Sequence, residues 1–437
     1  MMNFLRNLMS DTNPLRLLYH KLVSVIAAVY YRFPADKMTV IGVTGTNGKT
    51  TTVNLIAHVL ETAGNKVGMT STINFQVGTR KWTNTTKQTT LGRFALQRLL
   101  REMVDEGCKF AVLEVSSHAM TQSRVWGINI DCAVFTNVAR DHIEYHGSFA
   151  NYLYAKGSLF QKVSKSRRKA GVQKVLVLNE EDENFAYFDQ FIADRKITYG
   201  LKQGTVATLD LKLKPDGSQF TMKVPNDAVP IDFDLPGKFN VQNALCAAAV
   251  CMSYGVSMEN IKRGIDSART VPGRCDHVDA GQDFTVVVDY AHMEDSLEKL
   301  LSMYRDLTTD GRLFAVFGAT GGGRDKVKRP GMGAIAHKYA DYIFVTDDDP
   351  YSDDELEIID MVGQGIPRKE GDRYWKIVDR REAIRLALMM ARKGDSVVVA
   401  GKGAEEVMKV RGKTIEWNDK KVIVDLLRRP MSVGEIK

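Results

Sequence analysis

The sequence predicts an α/β protein built from two domains that each contain a mostly parallel sheet. Three observations support this: short β-branched runs alternate with helical stretches, a glycine-rich loop joins the first strand to a helix, and a second strand–helix series begins after residue 271. Alternation of this kind is typical of parallel sheets with helices on both faces. The 437 residues, 44% of them hydrophobic, are enough for two or three domains.

The N-terminal leader, residues 1–38, is predicted to be helical. An amphipathic helix is expected over residues 13–33, with Pro14 in its first turn after Asn13. One interpretation is a helix that packs on the body of the protein. The other is a basic helix that contacts a membrane surface peripherally through residues 15–31.

A central domain is predicted over residues 39–270. Its strands are expected at residues 38–44, 110–115, 132–136 and 174–178, and the first is followed by a helix over residues 51–63. Alternating polar and apolar residues around 215–217 predict an antiparallel hairpin beside the parallel sheet.

A C-terminal, Rossmann-like α/β domain is predicted over residues 271–437. Its strands are expected at residues 284–289, 313–317, 342–346 and 396–400. Ligands of open parallel sheets collect at the carboxyl ends of the strands, so these four ends are expected to face one cleft.

The composition excludes several classes of protein. Charged residues make up 26% of the chain, as in ordinary globular proteins, and the formal net charge of +7 suits anionic substrates but is too small to indicate nucleic acid. The five cysteines include no CxxC pair, which favours a reduced, cytoplasmic protein without structural zinc. No apolar run reaches the roughly 18 residues of a membrane span.

A phosphate-binding loop (P-loop) is predicted between the first strand and its helix. It consists of Gly45, Thr46, Asn47, Gly48, Lys49, Thr50 and Thr51. Glycines let backbone amides surround phosphate oxygens, the lysine supplies a charge for the β- and γ-phosphates, and the Thr50 hydroxyl is a ligand for Mg²⁺. Val43 stands where the usual spacing has glycine, so the loop is a shortened variant.

Three further polar residues follow or flank strands. Glu114 ends a hydrophobic strand, where its carboxylate could hold Mg²⁺. Taken alone, His142 is more often a structural histidine and Lys156 an ordinary helix lysine. The residues themselves leave those two roles open.

A set of motifs in a fixed order gives the chain a family resemblance. They are Thr44-Gly-Thr-Asn-Gly-Lys-Thr50, Glu114-Val-Ser-Ser-His118, Asp141-His142, Ala155-Lys156, Leu235-Pro-Gly-Lys-Phe-Asn-Val-Gln-Asn243, Asp289-Tyr-Ala-His292, Gly321-Gly-Gly-Arg-Asp325, Lys328-Arg-Pro330 and Gly401-Lys-Gly403. Together they resemble the Mur ligase family over nearly the whole chain. The nearest branch is the UDP-N-acetylmuramoyl-tripeptide synthetases, which add the third amino acid of the peptidoglycan stem peptide.

The resemblance implies ATP-driven amide formation through an acyl phosphate, with ATP and Mg²⁺ as cofactors. The residues it implies for catalysis are Lys49, Glu114, His142 and Lys156, of which the last is carbamylated in relatives. It implies metal ligation by Thr50, Glu114, His142 and Lys156, and nucleotide contacts by the loop and by Asn240, Asn243, Asp289 and His292. It assigns the acceptor to Thr89, Thr90, Ser116, Gln122 and Arg124, and the amino acid to Arg324, Asp348, Asp349, Tyr351, Gly401 and Glu405.

Two departures from the family bear on the substrates. Relatives carry an N-terminal uridine-nucleotide domain of roughly a hundred residues, whereas 38 residues precede the first strand here, so the acceptor peptide is expected on either a nucleotide sugar or a lipid carrier. A lipid carrier would place the cytoplasmic protein at the inner face of the membrane. Enzymes that add meso-diaminopimelate show Asp-Asn-Pro-Arg where this chain has Asp348-Asp-Pro-Tyr351, and loss of that arginine favours an amino acid with a terminal ammonium, such as lysine or ornithine.

Two alternatives stay open. The first keeps the mechanism but changes the acceptor, as in ligases similar to folylpolyglutamate or cyanophycin synthetases. The second is a nucleotide-binding subunit that has lost catalysis.

Overall fold

The fold is described by a computed structural model over residues 13–86, 88–139, 141, 143–269, 271–322 and 326–428. The chain divides into two compact units. The first contains the described residues up to Lys212, together with Ser218–Asp234 and Lys238–Ala268, and the second contains Leu213–Gly217, Leu235–Gly237 and the described residues from Arg269 onward.

The first half of the first unit begins with a helix and then alternates strands and helices. In order, its elements are α1 (Pro14–Tyr30), β1 (Thr39–Thr44), α2 (Lys49–Thr62), β2 (Val67–Thr70), β3 (Asn74–Val77), β4 (Arg80–Thr83), α3 (Arg93–Asp105), β5 (Phe110–Glu114), α4 (Ser117–Thr121) and β6 (Cys132–Phe135). A short 3₁₀ turn, Pro34–Lys37, joins α1 to β1.

The second half of this unit completes the sheet and adds a smaller one. Its elements are α5 (Ile143–His146), α6 (Phe149–Lys165), β7 (Val175–Asn179), α7 (Phe185–Asp189), β8 (Arg195–Tyr199), β9 (Ala207–Lys214), β10 (Gly217–Val224), β11 (Asp227–Phe233), α8 (Lys238–Ser253) and α9 (Met258–Asp266).

An eight-stranded sheet forms the core of the first unit, in the order β4-β3-β2-β5-β1-β6-β7-β8. The six strands from β2 to β8 in this order pair in parallel, and β3 and β4 extend the edge in antiparallel fashion. Strands β1, β5, β6 and β7 are buried throughout, as the continuous apolar runs predict. The predicted hairpin around residues 215–217 is confirmed as the β9–β10 turn of a three-stranded sheet.

The second unit contains a six-stranded sheet. Its elements are β12 (Asp276–His277), β13 (Thr285–Asp289), α10 (Glu294–Leu307), β14 (Leu313–Phe317), α11 (Lys328–Tyr339), β15 (Tyr342–Val345), α12 (Glu355–Gly363), β16 (Tyr374–Lys376), α13 (Arg380–Met390), β17 (Ser396–Ala400), β18 (Val407–Val410), β19 (Lys413–Glu416) and α14 (Asp419–Arg428). The sheet order is β12-β13-β17-β14-β15-β16, parallel from β13 onward. The carboxyl ends of the four predicted strands therefore lie along one edge.

Helix α1 packs on the first unit through small side chains. Asn13 caps it by accepting a hydrogen bond from the Leu15 amide at 2.9 Å, and its buried residues are Ser24, Ala27 and Ala28. Within the described residues, no helix is long and apolar enough to cross a bilayer.

A buried ion cluster ties three strands and a helix end of the first unit together. Asp131, which has no exposed surface, accepts hydrogen bonds from Lys169 Nζ at 2.5 Å, from Lys174 Nζ at 2.9 Å and from the Val40 amide at 2.9 Å. Two cations and an amide therefore satisfy one buried carboxylate, which keeps the charge from being left unpaired.

Candidate active site

Both glycines of the phosphate-binding loop are required by close approaches. Helix α2 begins at Lys49, and its cap Gly48 has φ +80°, where a Cβ would lie 2.4 Å from Asn243 Oδ1. Gly45 has φ +154°, and a Cβ there would lie 1.8 Å from Thr136 Oγ1. A side chain at either position would force the loop apart.

The segment that follows β6 fixes the shape of the loop. The Thr46 amide donates to the Asn137 carbonyl at 2.8 Å, and the Asn47 amide donates to Asn137 Oδ1 at 3.0 Å. Thr136 Oγ1 in turn donates to the Asn47 carbonyl at 2.7 Å. Sequence reasoning did not predict that this segment supports the loop from 90 residues away.

Two lysines point at the same loop carbonyl. Lys49 Nζ donates to the carbonyls of Gly45 at 3.0 Å and Thr46 at 2.8 Å, and Lys156 Nζ, from α6, donates to the Gly45 carbonyl at 2.6 Å. Burial, followed by the charge of Lys49, lowers the pKa of Lys156 well below its ordinary value, while Asp141 acts in the opposite direction. The structure therefore brings both predicted lysines to the phosphate-binding loop.

Glu114 lies at the end of β5 and faces the first turn of α2. Its carboxylate accepts hydrogen bonds from Thr50 Oγ1 at 3.0 Å, from the Thr72 amide at 2.7 Å and from Thr72 Oγ1 at 3.0 Å. It is 1% exposed, so this charge depends on these donors. Sequence reasoning missed Thr72, whose only signal is its position just after β2.

The Thr50–Glu114 pair fits the requirements of Mg²⁺. A hydroxyl and a carboxylate oxygen are ligands that Mg²⁺ accepts, and it usually takes its remaining ligands from substrate phosphates and water. No group of three or more His, Cys, Asp or Glu side chains suited to a metal occurs in the described part of the chain. The predicted ligand His142 lies outside the described residues.

Thr90 connects the acceptor residues to the strand that carries Glu114. Thr90 Oγ1 donates to the Glu114 carbonyl at 2.9 Å and accepts from the Ser116 amide at 3.0 Å. Thr89 Oγ1 accepts from Thr72 Oγ1 at 3.1 Å. Ser116 also caps α4, which fixes its backbone.

Arg124 and Gln122 form a second part of the same network. Arg124 Nη1 donates to the Thr90 carbonyl at 2.6 Å, and its Nη2 donates to Gln122 Oε1 at 2.8 Å. Gln122 Nε2 reaches the Tyr145 hydroxyl at 3.2 Å. The structure thus brings all five predicted acceptor residues into one connected set next to Glu114.

The two asparagines predicted to contact the nucleotide lie on α8, beside α2. Both are buried, and Asn243 Oδ1 accepts from Thr52 Oγ1 at 3.2 Å while its Nδ2 donates to Asn240 Oδ1 at 3.4 Å. Because Asn243 is also the residue that Gly48 approaches, it lies directly behind the loop.

In the second unit, Asp289 ends β13 and is held by backbone amides. Its carboxylate accepts from the Cys275 amide at 2.7 Å and the Ala291 amide at 2.8 Å, and burial raises its pKa. His292 donates from Nδ1 to the Tyr290 carbonyl at 2.8 Å. The assignment of Asp289 and His292 to the nucleotide stays a prediction.

Carboxylates gather at the ends of β15 and β17. Lys402 Nζ, on a side chain with no exposed surface, donates to Asp349 Oδ1 at 2.9 Å and to Glu405 Oε2 at 2.5 Å. Asp348 is also buried, and its Oδ2 has no hydrogen-bond partner among the described residues. Gly401 has φ +113°, and a Cβ there would lie 2.2 Å from Asp348 Oδ2. Burial raises the pKa of Asp348.

Lys402 partly neutralises this cluster. The carboxylate of Asp349, a predicted amino-acid ligand, is paired with Lys402 and also accepts from the Lys409 amide at 2.7 Å. Lys402 was not among the predicted site residues, and its only signal is its position between Gly401 and Gly403. Asp348 feels the charge of Lys402 but accepts no hydrogen bond at Oδ2 from the described residues.

Tyr351 occupies the position of the family's arginine. Its backbone is left-handed, with φ +58°, and is held by a hydrogen bond from its amide to the Lys409 carbonyl at 2.9 Å. Its ring lies against Gly322, where a Cβ would approach it to 3.0 Å.

The acidic residues that follow Tyr351 have structural roles. Asp354 caps α12 by accepting from the Glu357 amide at 2.9 Å, and Asp353 accepts from the Gly322 amide at 3.1 Å. The predicted ligand Arg324 lies outside the described residues.

Comparison with known proteins agrees with the motifs. Residues 43–251 match the Mur ligase middle domain, and residues 273–403 match the Mur ligase glutamate ligase domain. The chain is 39% identical over 403 residues to the UDP-N-acetylmuramoyl-L-alanyl-D-glutamate–2,6-diaminopimelate ligase of Geobacillus kaustophilus, covering 92% of this chain and 81% of that protein.

Other relatives give the same result. The ligase of the same name from Syntrophomonas wolfei is 40% identical over 409 residues, covering 93% of this chain and 81% of that protein. A solved structure of a ligase of that name superposes with a TM-score of 0.62 at 33% identity, covering 89% of this chain and 77% of the other. The chain belongs to the Mur ligase family, whose members are ATP-dependent ligases that form amide bonds.

Proposed function

We propose that this protein joins an amino acid to a carboxylate of a muramoyl-peptide precursor of peptidoglycan, with hydrolysis of ATP to ADP and phosphate, in the cytoplasm. The observation that carries the proposal is the convergence of Lys49, Lys156, Thr50 and Glu114 on one loop. The names of the relatives, which are ligases of muramoyl peptides, support the choice of acceptor.

The chemistry proceeds in two steps. An acceptor carboxylate oxygen attacks the γ-phosphorus of ATP, the bond to the β-phosphate oxygen breaks, and an acyl phosphate and ADP result. The amine of the amino acid then attacks the acyl carbon, and the tetrahedral intermediate expels phosphate while the nitrogen loses a proton. Both steps develop negative charge on phosphate oxygens.

The residues of the loop stabilise that charge. Lys49 supplies a fixed cation within the loop, and the amides that begin α2 add the positive end of the helix dipole. Thr50 and Glu114 would hold Mg²⁺, which neutralises phosphate charge when bound. Asn243 supports the loop from α8, and we assign Asn240 and Asn243 to the adenine of ATP.

The acceptor is bound by the network around Thr90. Arg124 supplies a cation for the peptide carboxylate, and Ser116 and Gln122 supply hydrogen-bond donors and acceptors in fixed positions. The resemblance of Ser116, Gln122 and Arg124 to the acceptor residues of muramoyl-peptide ligases argues against a folate, and a nucleotide sugar and a lipid are both candidate carriers.

The amino acid is one with a terminal ammonium, such as lysine or ornithine. Asp348, Asp349 and Glu405 supply three carboxylates to this cluster, and the cations among the described residues that act on Asp348 are Lys402 and Arg380, of which Arg380 is itself paired with Asp419. No arginine stands at position 351 to meet the second carboxylate of diaminopimelate. The relatives are named as diaminopimelate ligases, so this chain is proposed to differ from them in its second substrate.

One experiment tests acceptor and amino acid together. Purified protein is mixed with ATP, each candidate acceptor (UDP-linked and lipid-linked muramoyl dipeptides, and folate monoglutamate) and each amino acid, and phosphate release and product mass are measured. Phosphate release that needs both substrates is expected with a muramoyl dipeptide. Product with folate alone supports the alternative acceptor, and no turnover with any pair supports a non-catalytic subunit.

A further inference from the structure

Helix α1 exposes most of its large apolar side chains, and its fully buried residues are small. Seven large residues are 54–71% exposed, and their spacing places them along one side of the helix: Leu15, Leu18, Tyr19, Leu22, Ile26, Val29 and Tyr30. The fully buried residues are Ser24, Ala27 and Ala28, and Leu17, Val23 and Val25 are half-buried. A helix that served only to cover the core would bury its leucines and isoleucine, because they contribute most to the burial of apolar surface.

The orientation of α1 is fixed by a close approach. Gly127, with φ +74°, faces the helix, and a Cβ there would lie 2.6 Å from Ala28 Cβ and 3.4 Å from the Phe33 ring. At the same end, the exposed ring of Phe94 on α3 lies 6.4 Å from the ring of Tyr30 and extends the apolar surface. The helix cannot rotate its leucines inward without breaking this contact.

The charges on this surface have one sign. From Pro14 to Tyr30 the sequence contains Arg16 and Lys21 but no aspartate or glutamate, and exposed Arg32 follows directly. A second copy of the same helix would bring these cations against one another, whereas an anionic surface would neutralise them. Tyrosines beside leucines and cations are the side chains that suit the boundary between lipid headgroups and acyl chains.

We propose that α1, with Phe94, binds the protein peripherally to a bilayer that contains anionic lipids. The helix would lie in the plane of the interface, with its seven large apolar residues among the upper acyl chains and with Lys21 and Arg32 at the headgroups. This contact uses none of the residues around the phosphate-binding loop.

Vesicle co-sedimentation of the full chain tests the proposal. Vesicles of phosphatidylcholine alone are compared with vesicles in which part of it is replaced by phosphatidylglycerol. Two to three cations at the surface predict about 30- to 140-fold tighter binding to the anionic vesicles, and this difference should shrink as salt is raised. The variant with both Leu22→Glu and Ile26→Glu should lose at least about tenfold in binding.

Ile192→Glu is the matched control, because Ile192 is 78% exposed but lies far from α1 in the sequence. It should bind vesicles as the wild type does, and all variants should keep the wild-type thermal melting temperature. Equal sedimentation with neutral and anionic vesicles, or unchanged binding by the α1 variant, would overturn the proposal. The proposal would also be overturned if the wild type did not bind vesicles and instead formed a dimer, measured by light scattering, that the α1 variant did not form.

Discussion

Replacing Tyr351 by arginine should change which amino acid the protein prefers. Wild-type protein is expected to use lysine or ornithine with higher kcat/KM than meso-diaminopimelate, and Tyr351→Arg should raise kcat/KM for diaminopimelate while lowering it for lysine. The backbone does not oppose the change, because position 351 has φ +58° and both residues carry a Cβ.

The size of the effect follows from charge. A guanidinium that meets a carboxylate gains about 1.5 kcal/mol, at the low end of the usual range because Tyr351 is only half-buried. The same guanidinium repels a substrate ammonium by about 1 kcal/mol at 4 Å when water screens the pair. The two contributions together change the ratio of kcat/KM values by about fiftyfold or more.

Initial rates with lysine, ornithine and meso-diaminopimelate at saturating ATP and acceptor provide the measurement. Tyr351→Gln is the control, since it removes the ring without adding charge and should leave the preference for the ammonium substrate in place. The charge argument fails if wild-type protein prefers diaminopimelate, or if the arginine variant shifts the ratio no further than the glutamine variant does.

Three other predictions concern the phosphate-binding loop and stability. Lys49→Ala should abolish phosphate release without lowering the melting temperature, because the phosphate-binding loop loses its own cation; substantial turnover would refute its role. Asp131→Asn should destabilise the first unit by about 3 kcal/mol in urea denaturation, because the largely buried Lys169 and Lys174 lose their shared carboxylate. As a control, Asp189→Asn removes an exposed ion pair and should cost less than about 1 kcal/mol. Burial, then the charge of Glu355, raises the pKa of Asp347 from 3.8 to about 7, so the free energy of unfolding of the wild type should fall as pH rises from about 4 to 7. The free energy of unfolding of Asp347→Asn should increase relative to the wild type over the same range. A difference between the two proteins that is constant with pH would contradict this.

The strands and the phosphate-binding loop could be predicted because their signals are local. A fully buried parallel strand needs apolar residues on both faces, so runs such as Phe110–Glu114 and Ser396–Ala400 stand out from the polar helices between them. The phosphate-binding loop needs glycine where its backbone approaches the side chains of Thr136 and Asn243, and Gly45 and Gly48 mark those two places in the sequence.

The contacts that complete the site could not be predicted because they join distant residues. Lys402 pairs with Asp349 across 53 positions, and Asn137 holds Asn47 across 90. The side of α1 that packs on the first unit could not be predicted, because the sequence pattern is amphipathic whichever side is buried. The close approach of Gly127 to Ala28 shows which side faces the protein. Local patterns determine elements, whereas pairing between elements decides which charges remain for a ligand.

The position of the Lys156 side chain next to Lys49 is best explained if its charge changes from positive to negative. Its ammonium and that of Lys49 share the Gly45 carbonyl, and burial together with Lys49 lowers its pKa, so that a neutral amine is accessible. A neutral amine can attack the carbon of CO₂ and release one proton, and the resulting carbamate would turn repulsion from Lys49 into attraction. We expect a ¹³C carbamate resonance in protein supplied with labelled bicarbonate, and Lys156→Met should remove it. Lys162 is the control on the same helix, because burial lowers its pKa to about 8 but no loop cation faces it; a resonance that disappears in Lys162→Met and persists in Lys156→Met would refute the assignment.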